Sequence, residues 1–231
     1  MKNYYKEFIE RLDDKEIKNL WKNNSQVKTK FFDFFYSEII TIENPIIVEF
    51  GVRHGISTSM FLDICELKNG KLHSIDVNDY SYKFNSGKWN FIKSRDDNFN
   101  ELKKKIPDDV DVIFLDTVHK AEHVIKIILN YFFKLKVGGK FIIDDISWAP
   151  YLKNKKLNHF FKEINNKETF DSLLQLYTLN NETIDVKFNL TDTGCALITK
   201  LNNKDLFYNN KTIHRQFTIK NFLRKIAKLF L

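Results

Sequence analysis

The segment from Ile46 to Ser57 constrains the fold most, because it joins a strand to a helix through a glycine loop. An apolar run leads to Glu49, and Gly51 and Gly55 follow with three residues between them. Glycine lets the backbone turn sharply and approach a ligand closely, since no Cβ stands in the way. The segment therefore predicts a nucleotide-type ligand site at the tip of a strand, followed by a helix that begins near Ser57.

The acid and the glycine spacing narrow the class of ligand. A dinucleotide-binding loop has the spacing G-x-G-x-x-G and brings a pyrophosphate to a helix N-terminus. Here Glu49 precedes the two glycines, and no Lys-Ser/Thr pair follows Gly55, which excludes a P-loop. A carboxylate beside the loop repels phosphate and favours a cationic ligand. S-adenosylmethionine is a cation with an adenosine end, and E-x-G-x-x-x-G-x-S resembles the first motif of the class I methyltransferases. The resemblance implies cofactor contacts at Glu49, Gly51, Gly55 and Ser57.

Beyond residue 45, apolar strands alternate with helical segments. Strands are predicted at residues 46–50, 72–77, 89–93, 110–115 and 140–143. Continuous apolar strands separated by helices indicate a buried parallel sheet. Residues 184–190 and 195–200 flank a hairpin-type connection at 191–194. We therefore expect an α/β fold with a doubly wound, mostly parallel sheet and a C-terminal antiparallel hairpin, which is the Rossmann-like methyltransferase fold.

The remaining segments are predicted to be extensions of this domain, which we place at residues 45–200. Residues 1–44 carry two helical patterns and form an N-terminal helical extension, with its second helix at about 28–40. Residues 201–231 are expected to be a polar linker followed by a basic amphipathic helix. For that helix, packing on the domain, a partner protein and peripheral contact with a membrane all stay open.

Composition limits the cell compartment and the partners. Cys65 and Cys195 show neither disulfide nor zinc spacing, and no apolar stretch approaches the length of a membrane span. The net charge of +7 is scattered over most segments, which favours a solvated surface over a nucleic-acid face. We expect a cytoplasmic protein without a nucleic-acid partner, and leave open homo-oligomerisation and contact with the inner face of a membrane.

Acids stand where the predicted strands end, at Glu49, Asp76, Asp116, Asp144 and Asp145. Ligands of open α/β sheets bind outside the carboxyl ends of the strands. Asp76 comes 21 residues after Gly55 (76 − 55), where an acid can accept both ribose hydroxyls of an adenosine. Asp116 is a further expected cofactor contact. Because five carboxylates at one edge repel one another, we expect bound cations there.

Three of these acids predict a metal site. Asp116, Asp144 and Asp145 can converge on a hard cation, for which Mg²⁺ is the first choice. His119 follows Asp116 by three residues, so both side chains can face one cleft. A metal-bound hydroxyl loses its proton more readily, and a nearby imidazole can accept it. The pattern predicts an O-methylation site with His119 and Asp116 as catalytic residues.

The segments 111–119 and 137–145 resemble the metal-dependent O-methyltransferases related to macrolide-sugar methyltransferases and to the cephalosporin-hydroxylase-like group. The resemblance covers about residues 46–147. It implies that the three acids hold Mg²⁺, that His119 is the base, and that the acceptor is a hydroxyl of a sugar, glycan or similar small polar molecule. It also places Asp96 or Asp97 near adenine. Thr117 departs from the family, which often has glycine there, and a β-branched residue restricts the turn.

Two other functions stay open. A nucleotide-binding Rossmann-type oxidoreductase would share the sheet, although it should show a third glycine and lack the acid at position 49. A non-catalytic membrane-surface or partner-binding module would use the basic tail and keep a vestigial pocket. Trp148 and the segment from Tyr151 to Phe161 are expected to form a lid or acceptor wall, or else to pack in the core.

Overall fold

A seven-stranded sheet organises the protein. The computed structural model describes residues 4–24, 27–147, 160–191, 193–209 and 218–230. The strands are β1 Ile46–Phe50, β2 Lys71–Asp76, β3 Trp89–Lys93, β4 Val110–Leu115, β5 Leu135–Asp144, β6 Ile184–Asn189 and β7 Cys195–Lys200. Their order in the sheet is β3-β2-β1-β4-β5-β7-β6. The strands from β1 to β5 pair in parallel, and β7 runs antiparallel to both β5 and β6. The predicted fold class is confirmed.

The order of the strands fixes the place of a ligand site. β1 pairs with β2 on one side and with β4 on the other, so the winding of the chain reverses between β1 and β4. Open α/β sheets bind ligands in the crevice at such a switch point, outside the carboxyl ends of the strands. The loops after β1, β2 and β4 are therefore the place to look for chemistry.

The prediction for β5 was too short. We expected a turn at Gly138-Gly139 before a strand at residues 140–143, but β5 begins at Leu135 and continues through both glycines. The pairing of β4 with β5 shifts register between Val110 and Val112, which accommodates the irregular start. A shifted register has no signature in the alternation of apolar residues, so the sequence pattern did not reveal this extension.

Nine helical segments accompany the sheet in the described part of the chain: α1 Tyr4–Arg11, α2 Lys15–Asn23, α3 Lys28–Tyr36, α4 Ser37–Ile39, α5 Ile56–Leu67, α6 Phe99–Lys105, α7 Ala121–Tyr131, α8 Phe160–Leu179 and α9 Ile219–Lys228. A 3₁₀ turn, Phe132–Lys134, follows α7. The helix predicted at about 28–40 is divided into α3, which is π-helical, and the short α4. π-Helical turns are rare and are often found at functional sites. The predicted lid at Trp148 and 151–159 lies outside the described residues.

Two hydrophobic layers cover the sheet, because successive residues of a strand point to opposite faces. Ile113 and Leu115 of β4 join one layer, which α6, α7 and α8 complete. Val112 and Phe114 join the other layer, which contains α1, α2, α3 and α5. The described residues of the segment 1–44 thus pack against the sheet, and their apolar side chains form much of one core. This packing also brings α3 to the carboxyl edge of the sheet.

The C-terminal helix differs from all these elements. α9 has no buried residue, and its apolar side chains are largely exposed. Among the described residues, no helix combines the length and the apolar character that crossing a membrane requires.

Candidate functional site

The glycine loop after β1 is held between the two neighbouring strands. The backbone N–H of Gly51 donates to the carbonyl of Ile75 at 2.9 Å, and the N–H of Asp116 donates to the carbonyl of Phe50 at 2.9 Å. Gly51 has φ +98°, and a Cβ added to it would lie 2.0 Å from the carbonyl oxygen of Asp116. Only glycine satisfies both the left-handed backbone and the close approach of the two strand ends.

Gly55 has the backbone conformation that ends the glycine loop and starts α5. It has φ +81° and precedes the first residue of α5, and its N–H donates to the carbonyl of Val52 at 2.7 Å. A Cβ there would meet the ring of Phe84 at 2.9 Å. The structure thus gives Gly55 a conformational role in the tight turn that starts α5, and the expected cofactor contact at Gly55 remains a prediction.

Glu49 lies beneath the loop and is fully buried. Its carboxylate accepts hydrogen bonds from Ser57 Oγ at 2.6 Å, Thr58 Oγ1 at 2.8 Å and Ser74 Oγ at 2.7 Å. Burial raises the pKa of Glu49 to about 7, although these hydrogen bonds oppose the rise. Glu49 and Ser57 thus bind each other and fasten the start of α5 to β1 and β2, and their expected contact with a cofactor remains a prediction.

A cleft of about 430 Å³ opens above the loop. This volume is within the usual range for small-molecule sites. The ends of β1, β2 and β4 and the loop after β3 supply its wall, which includes Gly51, Asp76, Asp96, Asp116 and His119. Four residues predicted from the sequence (Gly51, Asp76, Asp116 and His119) thus meet at one cleft, as the switch point of the sheet requires.

Asp76 links two loops at the edge of the cleft. Its Oδ2 accepts from the backbone N–H of Val52 at 2.9 Å, and its Oδ1 accepts from the N–H of Asn78 at 2.9 Å. Each carboxylate oxygen has a second lone pair, so these bonds leave acceptor capacity for a ligand hydroxyl. The contact of Asp76 with a ribose remains a prediction that this placement permits.

Asp96 is the third acid of the cleft, and its partners were not predicted. Its carboxylate is hydrogen-bonded to His123 Nε2 at 2.7 Å and to the hydroxyl of Thr117, while Tyr131 donates to its backbone carbonyl at 2.8 Å. Burial opposes the charge of Asp96, but the bonds from His123 and Thr117 outweigh it and lower the pKa. Thr117, at which the chain differs from the family that it resembles, thus helps to hold Asp96 in the wall of the cleft.

His119 lies between two carboxylates. Its Nε2 is 3.4 Å from Asp116 Oδ1 and 3.5 Å from Asp145 Oδ2. Asp116 follows β4 and Asp145 follows β5, so the pairing of these strands brings the three side chains together. His119 and Asp116 face one cleft, as expected, and their catalytic roles remain a prediction. His119 therefore lies at the cleft with two carboxylates beside the same ring nitrogen.

Lys30 of α3 brings a cation to this end of the sheet, and the sequence analysis missed it. Its ammonium forms an ion pair with Asp144 Oδ1, lies 3.6 Å from Asp145 Oδ1 and donates to Thr193 Oγ1 at 2.7 Å. Lys30 is only 6% exposed. We call Lys30, Asp144 and Asp145 the acid–lysine cluster. A lysine in an aromatic helical segment reads as a surface residue, so no local signal distinguished it.

The cluster does not fit the predicted magnesium site. Magnesium requires oxygen ligands at about 2.0–2.1 Å in near-octahedral geometry. Within the described ranges, no group of three or more His, Cys, Asp or Glu side chains is arranged to hold a metal ion. The Lys30 ammonium instead binds Asp144 Oδ1, which also accepts the backbone N–H of Asp145 at 2.8 Å. An internal cation therefore meets the two acids at which we expected a divalent ion.

Burial and pairing shift the pKa values of Lys30 and Asp144. Burial opposes the charge on Lys30, but Asp144 and Asp145 outweigh it and raise the pKa of the ammonium above its ordinary value. Burial also raises the pKa of Asp144, and Asp116 and Asp145 add to that rise, while Lys30 lowers it. Lys30 consequently stays protonated and carries the positive charge of the cluster.

Comparison with known proteins agrees with this architecture. Residues 48–146 match the protein family described as "Methyltransferase domain". No curated protein matches the chain in sequence. The match to the family confirms the resemblance to methyltransferases that the glycine loop and the strand-end acids predicted.

Solved structures share the fold at low identity. A putative caffeoyl-CoA O-methyltransferase from Staphylococcus aureus is 18% identical, with a TM-score of 0.56 over 85% of this chain and 99% of that chain. The SAH-bound methyltransferase PaMTH1 of Podospora anserina is 16% identical, with a TM-score of 0.53 over 87% and 88%. The MycE methyltransferase of the mycinamycin biosynthetic pathway, in complex with Mg and SAH, is 17% identical, with a TM-score of 0.53 over 74% and 48%. This chain thus spans about half the length of MycE.

Proposed function

We propose that this chain transfers a methyl group from S-adenosylmethionine to a hydroxyl group. The match of residues 48–146 to the methyltransferase-domain family supports this proposal. The observation that carries the proposal is His119, which lies between Asp116 and Asp145 on the cleft that Gly51 and Asp76 also line. A general base and a glycine loop at one cleft are what methyl transfer to oxygen needs.

The glycine-loop side of the cleft, which we define as Gly51, Asp76 and Asp96, would hold the cofactor. Gly51 has no side chain to block the approach of a ligand to the backbone. Asp76 can accept hydrogen bonds from the ribose hydroxyls. The carboxylates of Asp76, Asp96 and Asp116 line the cleft together with the side chains of Arg53 and Arg95. A carboxylate close to the sulfonium would stabilise its positive charge. When bound, S-adenosylmethionine supplies a methyl group that its sulfonium has activated.

His119 would remove the proton of the acceptor hydroxyl. The imidazole accepts the proton, and Asp116 and Asp145 stabilise the resulting charge from both sides. Asp145 is 7% exposed, so its interaction with an imidazolium is screened only weakly by solvent. The chain's own residues therefore supply the base and the compensating charge.

The acceptor that we propose is a sugar, glycan or similar small polar molecule. This class rests on the resemblance of residues 46–147 to macrolide-sugar methyltransferases and on the fold shared with MycE, which has been solved in complex with Mg, SAH and mycinamycin VI. Magnesium assistance was also expected, but Lys30 binds the acids that would hold the ion.

Titration calorimetry tests the cofactor. We expect the wild-type protein to bind S-adenosylmethionine and SAH, and Asp76→Ala to weaken both by about tenfold or more, since it removes two loop contacts and the predicted ribose contact. Asp185→Ala, on β6 at the far edge of the sheet, is the matched control and should bind normally. Binding of a nicotinamide dinucleotide in place of SAH would establish an oxidoreductase instead.

Turnover with a panel of hydroxylated sugars, followed by the SAH formed, tests the role of His119. We expect His119→Gln to lower the rate by about a hundredfold or more and to leave SAH affinity within about twofold, because a general base acts only in the chemical step. His73→Gln, whose ring lies on β2 beside Asn90, is the matched control and should keep its activity. A His119→Gln variant with wild-type turnover would exclude His119 as the base.

A further inference from the structure

We propose that the Lys30 ammonium takes the place of a divalent ion at Asp144 and Asp145, so that this site works with a cation built into the chain. For its role in methyl transfer the inference rests on the proposed function. The metal-binding behaviour that it predicts is independent of any reaction.

The position of Lys30 is the first argument. Its ammonium contacts Asp144, lies 3.6 Å from Asp145 Oδ1 and donates to Thr193 Oγ1. Three oxygens from three side chains thus surround one nitrogen at the ends of β5 and the hairpin. A second cation at the same oxygens would meet the repulsion of a buried ammonium in a medium that screens charge poorly.

The burial of the cluster is the second argument. The side chains of Lys30 and Asp144 are 8% and 5% exposed, so neither can turn into solvent without movement of α3. Removing one partner of a buried ion pair leaves an uncompensated charge, which is strongly unfavourable. Lys30 is therefore held in place by the fold, and is not a surface side chain that a metal could readily displace.

The connection to His119 gives the pair a function. Asp145 faces Lys30 with Oδ1 and His119 Nε2 with Oδ2, at 3.6 and 3.5 Å. Lys30 thus contacts one of the two carboxylates that flank the proposed base, and we infer that it helps to orient it. It is a positioning residue, since it reaches the cleft through Asp145 and not by itself.

Titration with Mn²⁺, followed by calorimetry and by the electron paramagnetic resonance of the free ion, tests the inference. We expect the wild-type protein to show no saturable site tighter than about 1 mM. Lys30→Ala removes the ammonium and leaves space beside two acids, and should bind one Mn²⁺ about tenfold more tightly or better. The gain should disappear in the double variant Lys30→Ala/Asp144→Asn. Lys134→Ala, which removes a buried lysine paired with Asp108 far from the cleft, should gain no site.

Two results would overturn the inference. One is a wild-type Mn²⁺ site that Asp116→Asn removes, and this arm needs no variant at Lys30. The other is a folded Lys30→Ala protein, judged by circular dichroism, that gains no Mn²⁺ site. SAH binding measured on the same samples separates this test from the test of the proposed function. A wild-type protein that does not bind SAH would refute the proposed function, and the Mn²⁺ result would still test the role of Lys30.

A second inference rests on α9 and is independent of the cleft. We infer that α9 binds the surface of an anionic membrane. Its apolar side chains are exposed by 40–84% and recur at helical spacing along one side: Ile219, Phe222, Leu223, Ile226, Leu229 and Phe230. Lys220, Arg224, Lys225 and Lys228 stand among them, and residues 218–231 contain no acid. A basic amphipathic helix with such a stripe binds the interface of anionic lipid, to which its cations are attracted.

Cosedimentation of the full chain with vesicles tests α9. We expect binding to vesicles of phosphatidylglycerol and phosphatidylcholine in roughly equal parts, and little binding to phosphatidylcholine alone. Changing the four α9 cations to Gln should weaken binding by at least about tenfold. The matched control changes four exposed lysines elsewhere to Gln: Lys15, Lys22, Lys104 and Lys204. Equal loss in both variants, or a dimer formed through α9 without vesicle binding, would overturn the inference.

Discussion

The two sides of the cleft hold negative charge in different ways. On the glycine-loop side, Asp76 and Asp96 are fixed by hydrogen bonds from backbone N–H groups, a hydroxyl and an imidazole. On the other side, Asp144 and Asp145 are fixed by the ammonium of Lys30. One side therefore keeps its charge available to a ligand, and the other neutralises much of it within the protein.

This difference separates binding from chemistry. Hydrogen bonds that a carboxylate accepts favour its charged form, so Asp76 and Asp96 can interact with a cationic cofactor. An ion pair with Lys30 removes net charge, so the acid–lysine cluster can support His119 without drawing a metal to it. Substitutions can remove one of these arrangements at a time, and a similar residue in a different environment serves as the control for each.

The largest effect is expected from Lys30→Met, which keeps the volume of the side chain and removes its charge. Asp144 is 4% exposed and would be left without its cation, so we expect a loss of about 3–5 kcal/mol in the free energy of unfolding. Lys134→Met is the control, since Lys134 is equally buried but its partner Asp108 has an 80% exposed side chain.

Lys134 also donates to the carbonyls of Lys103 and Ile106, at 2.9 and 3.2 Å, so its loss should still cost about 1–2 kcal/mol. Urea unfolding followed by circular dichroism measures both variants. Similar losses in the two would mean that the acid–lysine cluster is an ordinary ion pair, and that burial of the partner does not decide the cost.

The same contrast explains what the sequence could predict. Asp76 and Asp116 were found because Asp76 ends one apolar strand and Asp116 directly follows another, and parallel strands bring their carboxyl ends to one edge. Lys30 was not found, because it lies 114 residues before Asp144 (144 − 30) and meets it only through the packing of α3 on the sheet. Local periodicity reports which residues end a strand, and it carries no information on which distant helix will cover that end.

Glu49 shows the other limit of sequence reasoning. Its place at the end of β1 was predicted, but its environment was not, since Ser57, Thr58 and Ser74 come from two other elements and converge on it. An acid beside a glycine loop is read as a ligand contact whether it faces the cleft or the core. Only the direction of the side chain distinguishes the two, and in a strand that direction depends on which alternate residues are covered.

A smaller effect is expected from Gly51→Ala, which tests how the glycine-loop side is built. The new Cβ combines a left-handed φ of +98° with a contact of 2.0 Å to the carbonyl of Asp116, so we expect a loss of about 3 kcal/mol and of SAH binding. Gly138→Ala is the control, since Gly138 has φ +86° and nothing within 4 Å of the added Cβ.

Gly138→Ala should cost only the backbone strain, about 1 kcal/mol, and should bind SAH normally. Thermal unfolding and titration calorimetry measure the two variants side by side. If Gly138→Ala were as destabilising as Gly51→Ala, backbone strain alone would explain why residue 51 is glycine. The close approach of β1 and β4 would then not be a reason for it.

The smallest effect is a dependence of stability on pH that comes from Glu49. Burial raises the pKa of Glu49 to about 7 in the folded protein, from 4.5 as its ordinary value. A carboxyl with a raised folded pKa stabilises the fold most below its unfolded pKa, and that contribution is lost as pH rises through the folded value. We therefore expect the wild type to lose about 2–3 kcal/mol more than Glu49→Gln between about pH 5 and pH 8.

Urea unfolding of both proteins at the two pH values isolates the contribution of Glu49, because all other titrating groups are common to them. The amide introduced by Glu49→Gln cannot ionise and can still exchange hydrogen bonds with the three hydroxyls, so the stability of the variant should change less with pH. Equal pH dependence in the two proteins would mean that Ser57, Thr58 and Ser74 solvate the Glu49 carboxylate as well as water does. Three neutral hydroxyls would then be sufficient to hold a buried carboxylate without a counterion. In that case the pairing of Asp144 with Lys30 would serve the chemistry of His119, because burial of a carboxylate would not by itself require a cation.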